Sequence, residues 1–155
     1  KSYDFVRYAL SFASTPSEVA ELHQLSGHRP VAVKLERELS KEETTALCSA
    51  AGEVWICRGD MGVQLGGLGA LAKWYHEFNR DVLPSLLANK TQVIMAGEVL
   101  ERMMDHPEPT RSEACHLADL WAAGYCGIVV SNETAMGKYP VEVLQQFKEI
   151  VSKLF

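Results

Sequence analysis

Two short stretches concentrate the residues able to do chemistry. Residues 54–62, VWICRGDMG, form an apolar run that stops abruptly at Arg58-Gly59-Asp60, with a second glycine at Gly62. Residues 31–36, VAVKLE, end on Lys34 and Glu36. Apolar runs of this kind read as buried parallel strands. A charged residue released where such a strand stops lies at its C-terminal end, where open α/β sheets and barrels place their chemistry. Period-two alternation puts Val31, Val33 and Leu35 on one strand face and Ala32, Lys34 and Glu36 on the other. A lysine and a glutamate on one strand face are costly unless paired, solvated or bound. With the two strands side by side, Lys34, Glu36 and Asp60 converge. Two carboxylates at adjacent strand ends make a hard, oxygen-rich site suited to Mg²⁺ or Mn²⁺, which keeps several waters and bridges to substrate oxygens. Lys34 would then sit where negative charge builds on a transferring phosphoryl group. Gly59 and Gly62 suit a tight turn with close backbone approach to a ligand. The competing readings are an ordinary Lys–carboxylate ion pair at a sheet edge and a solvated turn at Asp60.

Other candidates carry less. Glu113 and His116 have the i, i+3 spacing of di-iron bundles, but such sites need a second copy, and the chain has none. His23 and His28 flank a helix end and read as surface. Trp55, Trp74 and Trp121 read as core rather than as a stacking platform. Arg111 opens a helix after Pro109-Thr110, as a functional or a solvated arginine. The four cysteines (Cys48, Cys57, Cys115, Cys126) form no C-x-x-C pair and no ligand-like spacing to histidine. Cys57 and Cys126 lie in or beside apolar runs and read as buried thiols, which points to a reducing, cytoplasmic compartment.

The elements that must position these residues alternate. Residues 4–10 (DFVRYAL) read as a first strand. Thr15-Pro16-Ser17-Glu18 opens a helix that stops near Gly27, and Ser40-Lys41-Glu42-Glu43 opens another ending near Gly52. The strand at 54 leads into a glycine-rich connection, Gly66-Gly67-Leu68-Gly69, with no Gly-Lys-Ser/Thr to make it a P-loop. A long helical pattern over residues 71–88 is interrupted at Pro84. Residues 92–96 (QVIMA) are a fourth strand, and residues 99–104 look helical. Thr110-Arg111-Ser112-Glu113 is a third capping box, opening a helix to Gly124. Residues 127–131 (GIVVS) are the last strand, followed by a final helix through Leu154. Strand–helix alternation implies an α/β fold with a parallel sheet and right-handed crossovers. A closed (β/α)8 barrel needs about 250 residues. With 155 residues the chain is one domain, residues 1–155, and is either a small open sheet or a segment of a barrel. It opens on Lys1 with a strand almost at once, as a piece of a longer chain or a processed one would. A net charge of −5 with no basic block argues against nucleic acid as a partner. No apolar run reaches the ~20 residues that cross a bilayer, so no membrane role is expected.

Four ordered motifs resemble the second part of the pyruvate kinase catalytic barrel. The family's K-x-E strand stands here as Lys34-Leu35-Glu36, and its R-G-D-[LM]-G strand end as Arg58-Gly59-Asp60-Met61-Gly62. P-x-P-T-R-x-E stands as Pro107 to Glu113, and S-x-E-T-A-x-G-x-Y-P as Ser131 to Pro140. The resemblance covers essentially the whole chain. It implies strands four to eight of a pyruvate-kinase-like (β/α)8 TIM barrel, and phosphoryl transfer from phosphoenolpyruvate to ADP in glycolysis. It implies that Glu36 and Asp60 ligate Mg²⁺ or Mn²⁺ and that Lys34 is catalytic, stabilising the phosphoryl group in flight. Substrate-binding positions would be Arg58, Gly59, Asp60 and Gly97, with backbone N–H groups around Gly59 and Asp60 meeting the substrate carboxylate. The family's K⁺ site would lie outside this chain.

The chain also departs from the family. The strand end A-T-Q-M stands as Ala96-Gly97-Glu98-Val99, so Gly97 replaces the substrate-contacting threonine and Glu98 adds a negative charge. Gln64 and Gly66 replace an acidic residue and a proline. The first three strands, the lid domain and the C-terminal regulatory domain are absent. Two alternatives therefore stand beside the kinase: a catalytically incomplete relative with a structural or regulatory role, and a metal-dependent lyase or aldolase acting on pyruvate-like substrates. Edge strands of an incomplete barrel invite pairing, so a homo-oligomer or association with a missing barrel segment is expected.

Overall fold

A computed structural model describes residues 6–154. The chain divides into two compact units, Lys1–Val93 and Ile94–Phe155. In the first unit, β1 (Tyr8–Leu10), β2 (Val31–Leu35) and β3 (Glu53–Cys57) pair in parallel, with Ala9 opposite Ala32 and Lys34 opposite Trp55. Helices α1 (Pro16–Leu25) and α2 (Lys41–Ser49) make the crossovers. The second unit begins within β4 (Gln92–Ala96), which pairs in parallel with β5 (Gly127–Val129), Met95 opposite Ile128. Between them lie a 3-10 helix (Glu101–Met104) and α6 (Arg111–Ala123). The α/β class with parallel strands is therefore observed. Of the predicted first strand, Asp4 and Phe5 lie outside the described residues.

All three capping boxes form. Thr15, Ser40 and Thr110 each accept from the N–H of the glutamate three residues on, and each glutamate returns a bond to the cap N–H. Each cap stabilises its helix by about 1 kcal/mol. Val33, Leu35, Val54 and Ile56 are buried, as are Val19 of α1 and Leu47 of α2. In the second unit Met95, Val99, Leu100 and Met103 are buried with Leu117 and Leu120 of α6 and Val143 of α8 (Pro140–Ser152). Burial of each such side chain is worth about 1.5–3 kcal/mol. The predicted long helix does break at the proline, into α4 (Leu68–Asp81) and α5 (Leu83–Ala88).

Several expectations are corrected. Arg58-Gly59-Asp60 is not a glycine turn but the first turn of a short helix, α3 (Arg58–Gln64). The helix follows β3 directly, so Gly59 and Gly62 do not serve a left-handed bend. A Cβ at Gly62 would come within 3.3 Å of the Leu71 side chain, so that glycine serves close packing of α3 on α4. Between the same two helices Gly66 and Gly67 take positive φ, 81° and 139°, and turn the chain. The last strand stops at Val129, and an unpredicted short helix, α7 (Asn132–Ala135), follows it. Cys126 is exposed rather than buried. The tryptophans are half-buried. Trp55 donates to Glu53 at 2.6 Å, Trp74 stacks on Phe78, and Trp121 meets Phe147 edge-on.

Candidate functional site

The C-terminal ends of β1, β2 and β3 hold the predicted chemistry of the first unit. Glu36, one residue past β2, is 1% exposed, and its Oε1 lies 2.5 Å from Lys34 Nζ. A buried carboxylate is tolerated only when paired and hydrogen-bonded. Its second oxygen is accounted for by the N–H of Phe12, which donates to Oε2 at 2.8 Å. Phe12 adopts φ 51°, a left-handed conformation that costs a non-glycine residue about 1–2 kcal/mol. The distortion turns the β1 end so that its amide serves the carboxylate. Ser11 completes the cluster, accepting from Lys34 Nζ at 3.1 Å. The Arg37 guanidinium lies 5.7 Å from the centre of the Phe12 ring.

Burial alone would lower the ammonium pKa of Lys34. The hydrogen bond to Glu36 and the surrounding negative charge, Asp60 included, outweigh it and hold Lys34 above the ordinary lysine value. Lys34 therefore stays cationic and serves as a fixed positive charge, not as a base. Burial pushes the Cys57 thiol up to about 12, with the Glu36 charge adding to the effect. Cys57 is thus a protonated packing residue rather than a nucleophile.

Lys34 and Glu36 are brought together as expected. Asp60, exposed in the first turn of α3, acts on Lys34 through its charge. Arg58 is half-buried and Gly59 exposed at the start of the same helix. Among the described residues no group of three or more His, Cys, Asp or Glu is placed to hold a metal ion. Glu36 and Asp60 are each carboxylates of the kind that holds Mg²⁺ or Mn²⁺, since such ions are held by one or two carboxylates with waters and substrate oxygens. Ser11 and Phe12 are participants the sequence reading missed. Ser11, a hydroxyl at a strand end, is a signal the sequence carries; nothing in it marks the left-handed Phe12. A cavity of about 610 Å³ lies elsewhere, at the N-terminal ends of the strands beside Tyr8, Val31 and Glu53. It contains neither Lys34 nor Glu36, and we place the candidate site at the opposite strand ends, where charge is concentrated.

In the second unit Gly97 and Glu98 form a left-handed pair after β4, at φ 73° and 52°, and the Gly97 N–H donates to Val129 O at 3.1 Å. Nothing lies within 4 Å of where a Cβ on Gly97 would stand, so packing does not demand a glycine there. Glu133 of α7 is fully buried. Its Oε2 accepts from the Ser131 N–H and hydroxyl, while Oε1 has no hydrogen-bond partner. Glu101 Oε2 is likewise buried without one.

A family model described as "Pyruvate kinase, barrel domain" matches residues 2–144. Pyruvate kinase of Mycobacterium tuberculosis is 30% identical over 147 residues, which cover 92% of this chain and 30% of that protein. Pyruvate kinase of Bacillus licheniformis is 30% identical over 155 residues, 97% of this chain and 25% of the relative. Pyruvate kinase of Thermotoga maritima is 24% identical over 155 residues, 97% of this chain and 32% of the relative. The chain thus spans about a quarter to a third of the length of these relatives.

Proposed function

The chain belongs to the pyruvate kinase family, and from that premise we propose that it supplies strands four to eight of a pyruvate-kinase-type (β/α)8 barrel and the metal-and-lysine half-site of phosphoryl transfer from phosphoenolpyruvate to ADP. The carrying observation is the buried Lys34–Glu36 pair, fixed by Ser11 and the Phe12 N–H at parallel strand ends, with the Asp60 charge acting on Lys34. Such a cluster is preorganised: its charges are oriented before substrate arrives. Glu36 and Asp60 would hold Mg²⁺ or Mn²⁺, which supplies charge neutralisation for phosphate and carboxylate oxygens. Lys34 places a permanent positive charge beside a phosphoryl group in transit. The N–H groups of Gly59 and Asp60, with Arg58, belong to a helix start whose amides have no intrahelical acceptor, and they serve the substrate carboxylate. Glycolytic chemistry in the cytoplasm follows from this reading; so does completion of the site, K⁺ included, by a further barrel segment or a second copy.

A specific observation favours a second reading, a relative that kept the scaffold without full activity. Gly97 leaves open space where the family pattern has threonine, and Glu98 adds a carboxylate to the same strand end. A metal-dependent lyase would instead act on 2-oxo acids without nucleotide. Calorimetry with Mn²⁺, with and without oxalate, on this chain and on Asp60→Ala separates the readings. Saturable binding that oxalate strengthens and Asp60→Ala abolishes is expected. Absence of binding would leave the scaffold reading.

A further inference from the structure

The two histidines at the end of α1 are not part of this site, and they do not sit at random. The Nδ1 atoms of His23 and His28 lie 3.2 Å apart, with ring centroids 4.9 Å apart and ring planes at 72°. Two imidazole nitrogens, each about 2.0–2.1 Å from a tetrahedral Zn²⁺, would stand about 3.3 Å from one another. The backbone holds this spacing. The His28 N–H donates to His23 O at 2.8 Å, and the Ser26 hydroxyl donates to the same carbonyl at 2.9 Å. Ser26 Oγ also accepts from the Arg29 N–H at 3.2 Å. Gly27 and His28 are both left-handed, at φ 72° and 63°. A left-handed glycine after a helix is an ordinary stop. A second, non-glycine residue held left-handed is strained, and here the strain swings the His28 ring back against the last turn of α1. The C-terminal end of a helix carries partial negative charge and favours a cation.

We propose that His23 and His28 form a two-imidazole chelate for a borderline divalent transition ion, of the class of Zn²⁺, Ni²⁺ and Cu²⁺. Both rings are exposed, so the ion enters from solvent. Among the described residues no cluster of three or more His, Cys, Asp or Glu is placed around a metal position. Water therefore completes the coordination, and the ion is exchangeable rather than structural. This site is separate from the oxygen-ligand pair at Glu36 and Asp60, which selects harder ions.

The test is titration of the chain with Ni²⁺ and Cu²⁺ in a Cys115→Ser, Cys126→Ser background, which removes the exposed thiols. His23→Gln and His28→Asn are compared with it; asparagine tolerates the left-handed conformation at position 28. Each single change should weaken binding at least about tenfold, because the second ligand of a chelate acts intramolecularly. Cu²⁺ should bind more tightly than Ni²⁺. The Cu²⁺ electron paramagnetic resonance spectrum of the Cys115→Ser, Cys126→Ser chain with both histidines intact should show two coordinated imidazole nitrogens, a readout independent of how the histidine variants fold. A one-nitrogen spectrum, or affinity unchanged by either substitution, would overturn the chelate.

Discussion

Carboxylates in this chain answer to opposite environments, and the difference is measurable. Glu101 is raised above its ordinary 4.5, first by burial and then by the charges of Glu133, Glu98 and Glu113, all acidic. Glu18 is lowered below the same 4.5, first by the Ser14 N–H and then by the Thr15 N–H. The folded state holds a proton on Glu101 more tightly than the unfolded chain does. Its contribution is therefore full below 4.5 and is lost as pH rises through the raised folded value. Glu18 contributes above 4.5, and that part is lost as pH falls through its depressed value. Around Glu101, the neighbouring Glu113 accepts from the Arg102 and Thr110 N–H groups, and Asp105 is paired with Lys138 at 2.7 Å. Glu101→Gln should flatten the fall in melting temperature as pH rises above 4.5. A slope identical in the variant and the parent would remove Glu101 as its source.

At the scale of elements, the turn after α7 lies close against the 3-10 helix. The Lys138 N–H donates to Met104 O at 2.8 Å, and the turn that carries it passes over Gly137. A Cβ at Gly137 would stand 2.3 Å from Glu133 O and 3.1 Å from Met104 Cα. Both are backbone atoms, and neither can swing aside as a side chain would. Gly137→Ala should destabilise the chain by about 1–3 kcal/mol or more, as overpacking does, read as a lower denaturant midpoint. Gly52→Ala, with nothing within 4 Å of the added carbon, is the control and should leave the midpoint nearly unchanged. Equal midpoints for the two variants would show that the turn can reopen at little cost.

For the whole molecule, the share of the family's length matters most. The chain spans a quarter to a third of the length of its pyruvate kinase relatives; an unpaired strand edge invites pairing with another chain. Among the described residues of the first unit β1 pairs with β2 alone, and Tyr8 in it and Phe12 just after it are 38% and 41% exposed. We propose that this edge pairs with another chain: light scattering should report a homo-oligomer, or a complex when a segment carrying the family's first three barrel strands is supplied. A monodisperse monomer unaffected by that segment would count against association.

How much of this was legible beforehand divides along physical lines. The sequence by itself determined whatever depends on near neighbours along the chain. Capping boxes at Thr15, Ser40 and Thr110 bond within four residues, Pro84 breaks a helix by its own ring, and strand alternation puts Lys34 and Glu36 on one face. The family motifs, fixed in order, marked the same residues. Only tertiary structure decided what depends on approach between distant segments. Arg58-Gly59-Asp60 read as a turn because two glycines favour one; packing of α3 on α4 at Gly62 made it helix instead. The left-handed Phe12 and the Ser11 contact carry no local signature. Each is a conformation whose cost is met by contacts that exist only once the chain has folded.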